Sequence, residues 1–93
     1  MTEQEQTIAK IWDDNGSIEL PTVIITEVNG RFRVEVYKMY ELPGVTFEKL
    51  QALNTVLGTD ECNLTDEDYY SGCETCDYGS RKTYYFEAWK KEQ

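Results

Sequence analysis

Histidine is absent from this chain of 93 residues, and its absence excludes several chemistries. Ser-His-Asp and Cys-His catalysis both need an imidazole as general base, and most catalytic metal sites use histidine ligands. The phosphate-binding motifs G-x-x-x-x-G-K-[ST] and G-x-G-x-x-G are also missing. We therefore expect a protein that is not an enzyme and that carries no cofactor.

Long apolar runs are missing as well. No stretch approaches the roughly 20 apolar residues of a membrane span, and the acidic segment 1–5 has neither the composition of a secretory signal nor that of a transit peptide. The cysteine count is three, an odd number that argues against a secreted disulfide framework. These features predict a cytoplasmic protein that does not contact a membrane.

Basic residues are absent between Leu50 and Ser80, although the chain carries 9 basic and 18 acidic residues and a formal net charge of −9. An acidic chain is poorly suited to phosphate backbones and anionic membranes and better suited to a basic partner surface. The alternative is that the charge is solvated and serves only solubility. The segment's seven acidic residues are Asp60, Glu61, Asp66, Glu67, Asp68, Glu74 and Asp77.

The rest of the composition is typical of a folded protein. The chain is 40% hydrophobic and 13% aromatic, with only two prolines, whereas disordered acidic tails are poor in aromatic and β-branched residues. Its length predicts a single domain over residues 1–93.

The first half of the chain contains clear start and stop signals. Thr2 and Glu5 form a capping-box pattern that predicts a short helix over residues 3–13. Two candidate strands, 22–28 and 31–37, flank Asn29-Gly30, the residue pair favoured in a type I′ hairpin turn. Counting outward from that turn pairs residue 25 with residue 34 on an apolar face, and residue 26 with residue 33 on a mixed face.

A second helix is predicted to follow the hairpin. Thr46 is a candidate N-cap, with Val45 and Leu50 in the positions of a hydrophobic staple, and Gly58 is placed to end the helix. Phe47, Leu50, Leu53 and Leu57 would share one helical face. We expect that face to pack on the apolar side of the hairpin.

Two more strands complete the prediction. Residues 81–90 are rich in strand formers, and residues 61–70 are their candidate antiparallel partner. The expected fold class is α+β, with an antiparallel sheet of about four strands, one helix packed on a face and a short N-terminal helix. Tyr84 and Phe86 are predicted core residues. Tyr85 and Trp89 would lie on the opposite face as an exposed contact, and a homodimer that pairs through the last strand is a further expectation.

The three cysteines suggest an alternative function. Cys73 and Cys76 form a C-x-x-C motif, with Cys62 upstream. A structural zinc site normally has four Cys or His ligands, so a site here would need Asp60 or Asp77 to complete it. Our main interpretation is that the cysteines bind no metal and are small, partly buried thiols. The alternative is a small zinc-stabilised structural or adaptor module.

Tyrosines alternate with the acidic residues, and this arrangement favours a binding surface. Carboxylates on a surface can occupy the positions of nucleic-acid phosphates and compete for a protein's DNA- or RNA-binding groove, while tyrosines bind at low entropic cost. The predicted partner is thus a basic protein, such as a nucleic-acid-binding enzyme, and not nucleic acid itself. The predicted contact residues are Asp60, Glu61, Asp66, Glu67, Asp68, Tyr69, Tyr70, Glu74 and Asp77.

The acidic block 60–77 and the run Gly72-Cys-Glu-Thr-Cys-Asp-Tyr-Gly-Ser80 suggest a class of proteins. In size, charge and α+β pattern, the chain resembles small acidic phage-encoded inhibitors of host enzymes, such as anti-CRISPR proteins and the DNA-mimicking uracil-DNA glycosylase inhibitors. The resemblance is one of composition and carries over no functional residues. It implies a stoichiometric inhibitor of a host defence or DNA-processing protein, acting in the host cytoplasm.

Overall fold

The structure, a computed structural model, describes residues 2–13, 20–39, 42–70 and 81–91, with the backbone alone for Met39 and Tyr70. Its elements in chain order are α1 (Glu3–Ile11), β1 (Thr22–Val28), β2 (Arg31–Met39), α2 (Phe47–Leu57), β3 (Glu61–Tyr70) and β4 (Arg81–Trp89). The four strands form one antiparallel sheet in the order β1-β2-β4-β3. The α+β prediction is therefore confirmed.

The N-terminal helix begins as the capping box predicts. The Thr2 hydroxyl accepts a hydrogen bond from the Glu5 amide at 3.2 Å, and the Glu5 carboxylate accepts one from the Thr2 amide at 2.7 Å. These two bonds satisfy amide groups that have no partner within the helix. The helix ends at Ile11, two residues before the predicted end.

The hairpin has the predicted register, including the pairs Ile25–Val34 and Thr26–Arg33. Asn29 and Gly30 both have positive φ angles, 52° and 80°, as a type I′ turn requires. The backbone twist of such a turn matches the twist of the two strands that it joins, so the turn fixes which side chains reach the core.

The second helix also has its predicted ends, but not its predicted packing. The Thr46 side chain accepts from the Lys49 amide, and Gly58 ends the helix in the left-handed conformation at φ 71°. However, α1 contacts β1, whereas α2 contacts β3 and β4. The prediction that α2 covers the hairpin is thus wrong: β4 inserts beside β2, and the short 58–60 connection holds α2 over the other half of the sheet.

The core lies between the two helices and one face of the sheet. Trp12 and Phe86 are almost fully buried, and their ring centroids are 5.5 Å apart. Tyr84, also buried, meets Phe86 edge-on and donates a hydrogen bond to the Leu42 carbonyl. Phe47 is 73% exposed, so its predicted place on the buried helical face is wrong. The remaining core residues are Ile8, Ala9, Val23, Val34, Val36, Leu42, Leu53, Leu57, Cys62 and Ala88.

Candidate functional site: the acidic edge strand

The described part of the acidic block lies on one edge of the sheet. In the order β1-β2-β4-β3, the strand β3 has a hydrogen-bonded neighbour on one side only among the described strands. Its sequence, ECNLTDEDYY, begins next to Asp60 and contains four of the acidic residues predicted to bind a partner. The sequence predicted the strand, but it did not predict that the strand lies at an edge.

Asp60 and Glu61, which we name the acidic pair, are bound to the last residue of β4 and to Lys91, which follows the strand. The Asp60 amide donates to the Trp89 carbonyl at 3.0 Å, and the Asp60 carboxylate accepts from the Lys91 amide at 3.1 Å. The Lys91 ammonium lies 2.7 Å from the Glu61 carboxylate. This carboxylate raises the pKa of Lys91, through its hydrogen bond and its charge. The acidic pair therefore joins the start of β3 to the end of β4, a structural role.

Asp66, Glu67 and Asp68, which we name the acidic triplet, are exposed and differ from the acidic pair in their surroundings. Within the described ranges, no Lys or Arg forms an ion pair with any of the three. Among the described residues, Asp66 accepts a hydrogen bond only from the neighbouring Glu67 amide, at 2.9 Å. The triplet thus presents three carboxylates to solvent without a compensating cation from the described chain.

A β-bulge at Thr65 sets the direction of the triplet. Leu64 lies opposite Phe86 and Asp66 lies opposite Tyr85, so Thr65 is the extra residue. Its hydroxyl donates to the Tyr85 carbonyl at 3.1 Å and holds the bulge against β4. The strand sequence alone did not reveal this bulge.

Beyond the bulge, successive side chains alternate between the two faces of the sheet. Asp66 and Asp68 lie on the face away from the helices, and Glu67, opposite buried Tyr84, lies on the helix-bearing face. The three carboxylates of the triplet therefore lie on both faces of the sheet along the free edge of β3.

The other predicted contact residues are only partly described. Tyr69, a predicted contact residue, follows the triplet, is 66% exposed and lies opposite Lys82. Tyr70 ends the strand opposite Arg81. Glu74 and Asp77 lie outside the described residues.

Cys62 belongs to the core and not to a surface site. It lies opposite Ala88, is only 6% exposed and has no disulfide partner, and burial raises the pKa of its thiol to about 11. No group of three or more potential metal ligands occurs in the described ranges, while Cys73 and Cys76 lie outside them.

The open face of the sheet is occupied in part by its own side chains. Arg31 lies 4.9 Å from the ring centroid of Trp89 and forms an ion pair with Glu87. Trp89 and Tyr85 are half-buried and less available than a fully exposed contact would be. In addition, β4 is paired on both sides, by β2 and β3, so the expected homodimer cannot form by adding a strand to β4.

Comparison with protein-family models, curated proteins and solved structures found no match for this chain. Neither of the described helices is long and apolar enough to cross a membrane.

Proposed function

We propose that this chain is a non-enzymatic acidic binding protein that covers a basic, nucleic-acid-binding surface of another protein. The observation that carries the proposal is the acidic triplet, three exposed carboxylates on a sheet edge with no compensating cation in the described chain. The resemblance to phage-encoded inhibitors supports a partner from host defence or DNA processing. The lack of histidine supports a role without catalysis.

The charge density of the triplet suits a substitute for phosphates. Consecutive residues of a strand advance about 3.4 Å, so Asp66, Glu67 and Asp68 place one charge per about 3.4 Å along β3. Each strand of duplex DNA carries one phosphate per about 3.4 Å of helix axis. Because the three carboxylates alternate between the two faces, a groove that receives the edge with both of its faces would meet a similar linear density of negative charge.

The structure changes the proposed contact set. The acidic pair is already bound to Lys91, so its carboxylates are less free to exchange partners. We therefore assign the main contact to the triplet, with exposed Tyr69 as the aromatic anchor. Tyr70, Glu74 and Asp77 stay in the proposed surface because they follow the triplet along the chain.

Two variants of equal net charge test the proposal. In the first, D66N/E67Q/D68N, the triplet is neutral. In the second, E3Q/E27Q/E48Q, three exposed carboxylates away from β3 are neutral. The tagged wild-type protein and both variants are used to capture partners from host lysate, and each captured protein is assayed for DNA or RNA binding by gel shift.

We expect wild type and the control variant to capture a basic nucleic-acid-binding protein and to release its DNA or RNA stoichiometrically. The triplet variant should bind the captured protein at least tenfold more weakly. The affinity of the wild-type chain for that protein should fall steeply as the salt concentration rises. The proposal fails if capture recovers no nucleic-acid-binding protein, or if both variants bind it equally.

A further inference from the structure

The two edges of the sheet differ in how their backbone is protected. At the β1 edge, the Ile25 amide donates to the Glu5 carboxylate at 3.1 Å, and α1 packs against the strand. At the β3 edge, the described residues supply no pairing strand. Alternation of an antiparallel ladder leaves about half of the N–H and C=O groups of this ten-residue strand directed away from β4.

Side chains on both sides of the free edge are also exposed. Leu64 is 37% exposed and Tyr69 is 66% exposed, and both lie on the helix-bearing face. Asp66 and Asp68 lie on the opposite face. A strand added here would extend both faces, so its side chains would meet Leu64, Glu67 and Tyr69 on one side and Asp66 and Asp68 on the other.

We propose that β3 accepts one additional strand from its partner: an extended protein segment in which Lys or Arg alternates with apolar residues. This inference rests on the proposed function and specifies its binding mode. Backbone hydrogen bonds to the free edge supply affinity, as in other cases of strand addition, and alternate side chains supply specificity. The basic side chains face Asp66 and Asp68. The apolar ones cover Leu64 and Tyr69, which lie on either side of the exposed Glu67 on the helix-bearing face.

Charge selects this occupant over a second copy of the chain. Two β3 strands side by side would bring the acidic triplets of both copies to one seam, and like charges on neighbouring strands destabilise pairing. The bulge at Thr65 and the charges also discourage non-specific edge pairing. A basic segment instead gains from the same carboxylates.

A peptide pair separates strand addition from simple charge attraction. The probe is a ten-residue peptide of alternating Lys and Val, and its control has the same side chains with every peptide nitrogen methylated. The control keeps the charge but cannot donate backbone hydrogen bonds. Affinity is measured by titration calorimetry at low salt, and amide hydrogen exchange of the full chain is followed by NMR.

We expect the unmodified peptide to bind at least tenfold more tightly than its methylated control. Every second amide of β3 should then exchange at least tenfold more slowly, while amides of β1 are unchanged. The D66N/E67Q/D68N variant should bind the peptide more weakly than E3Q/E27Q/E48Q does.

Three results would overturn strand addition. The first is equal binding of the two peptides without slowed exchange at every second amide of β3. This result would exclude strand addition but leave the charge-based function intact. The second is protection at β1 instead of β3. Failure of both peptides to bind would also exclude strand addition. The lysate capture described above would still test the proposed function separately.

Discussion

Replacing Glu5 with glutamine should lower the free energy of unfolding by about 1–2 kcal/mol at neutral pH. One carboxylate oxygen of Glu5 accepts from the Thr2 amide at 2.7 Å, and the other accepts from the Ile25 amide at 3.1 Å. A capping interaction contributes about 0.5–2 kcal/mol, and a hydrogen bond to a charged group contributes about 1.5–3 kcal/mol. Glutamine keeps one acceptor oxygen, and solvent reaches this position, so we expect a loss smaller than the sum of these two contributions.

The effect should also depend on pH, with a defined sign. The two backbone amides lower the pKa of Glu5 below its ordinary value of 4.5. Because the pKa of the folded state lies below that of the unfolded state, the unfolded chain binds more protons between the two values. The stabilisation is therefore fully present above the unfolded pKa and is lost as pH falls through the folded pKa.

The assay is urea denaturation, monitored by circular dichroism and by the fluorescence of buried Trp12, at pH 7 and at pH 3. The control is Glu3→Gln, an exposed carboxylate in the same first helical turn. We expect a clear loss for Glu5→Gln at pH 7, a much smaller loss for Glu3→Gln, and a reduced difference between Glu5→Gln and wild type at pH 3. Equal effects of both substitutions at pH 7, or an undiminished difference at pH 3, would refute the reasoning.

Three further predictions concern the core, the hairpin turn and the buried thiol. Phe86→Ala should destabilise the fold by about 3–5 kcal/mol, which is a large part of the stability of a small domain. Phe47→Ala, at an exposed site, should change the stability by less than about 0.5 kcal/mol. Both are measured by thermal denaturation, and similar melting temperatures of the two variants would contradict the packing of Phe86. Gly30→Ala, at φ 80°, should lower the free energy of unfolding by about 1–2 kcal/mol in chemical denaturation. Its control is Gly44→Ala, because the new methyl group there has open space around it. Equal losses for the two variants would argue against the type I′ turn. The thiol of Cys62 is tested in a variant whose other two cysteines are replaced by serine. At pH 8 it should react with a thiol reagent at least 100-fold more slowly in the native protein than in urea, because it is buried and its pKa is raised to about 11. Fast labelling of the native protein would show that this end of β3 opens.

Local signals in the sequence predicted the elements well. Asn29 and Gly30 determine the hairpin register because both accept positive φ angles. Thr46 and Gly58 mark the ends of α2 because each satisfies backbone groups that the helix leaves unpaired. In each case the physical cause lies within a few residues of its effect.

Features that depend on distant residues were not predictable in this way. Nothing near Glu61 indicates that β3 lies at an edge, because strand order is decided by which distant strands pair. The second bond of Glu5, to the amide of Ile25, joins residues 20 apart in sequence. The candidate site was therefore predicted in composition but not in geometry.

The central position of β4 has a consequence for the order of folding. This strand follows all the others in the chain, yet it is the one that joins the β1–β2 hairpin to β3. Arg31 pairs with Trp89, across more than half of the sequence, and contacts of such long separation slow folding. A two-stranded hairpin alone is only marginally stable in water. During synthesis, the hairpin and α2 therefore have no stable sheet to pack on until β4 emerges. The fold should form in one late, cooperative step.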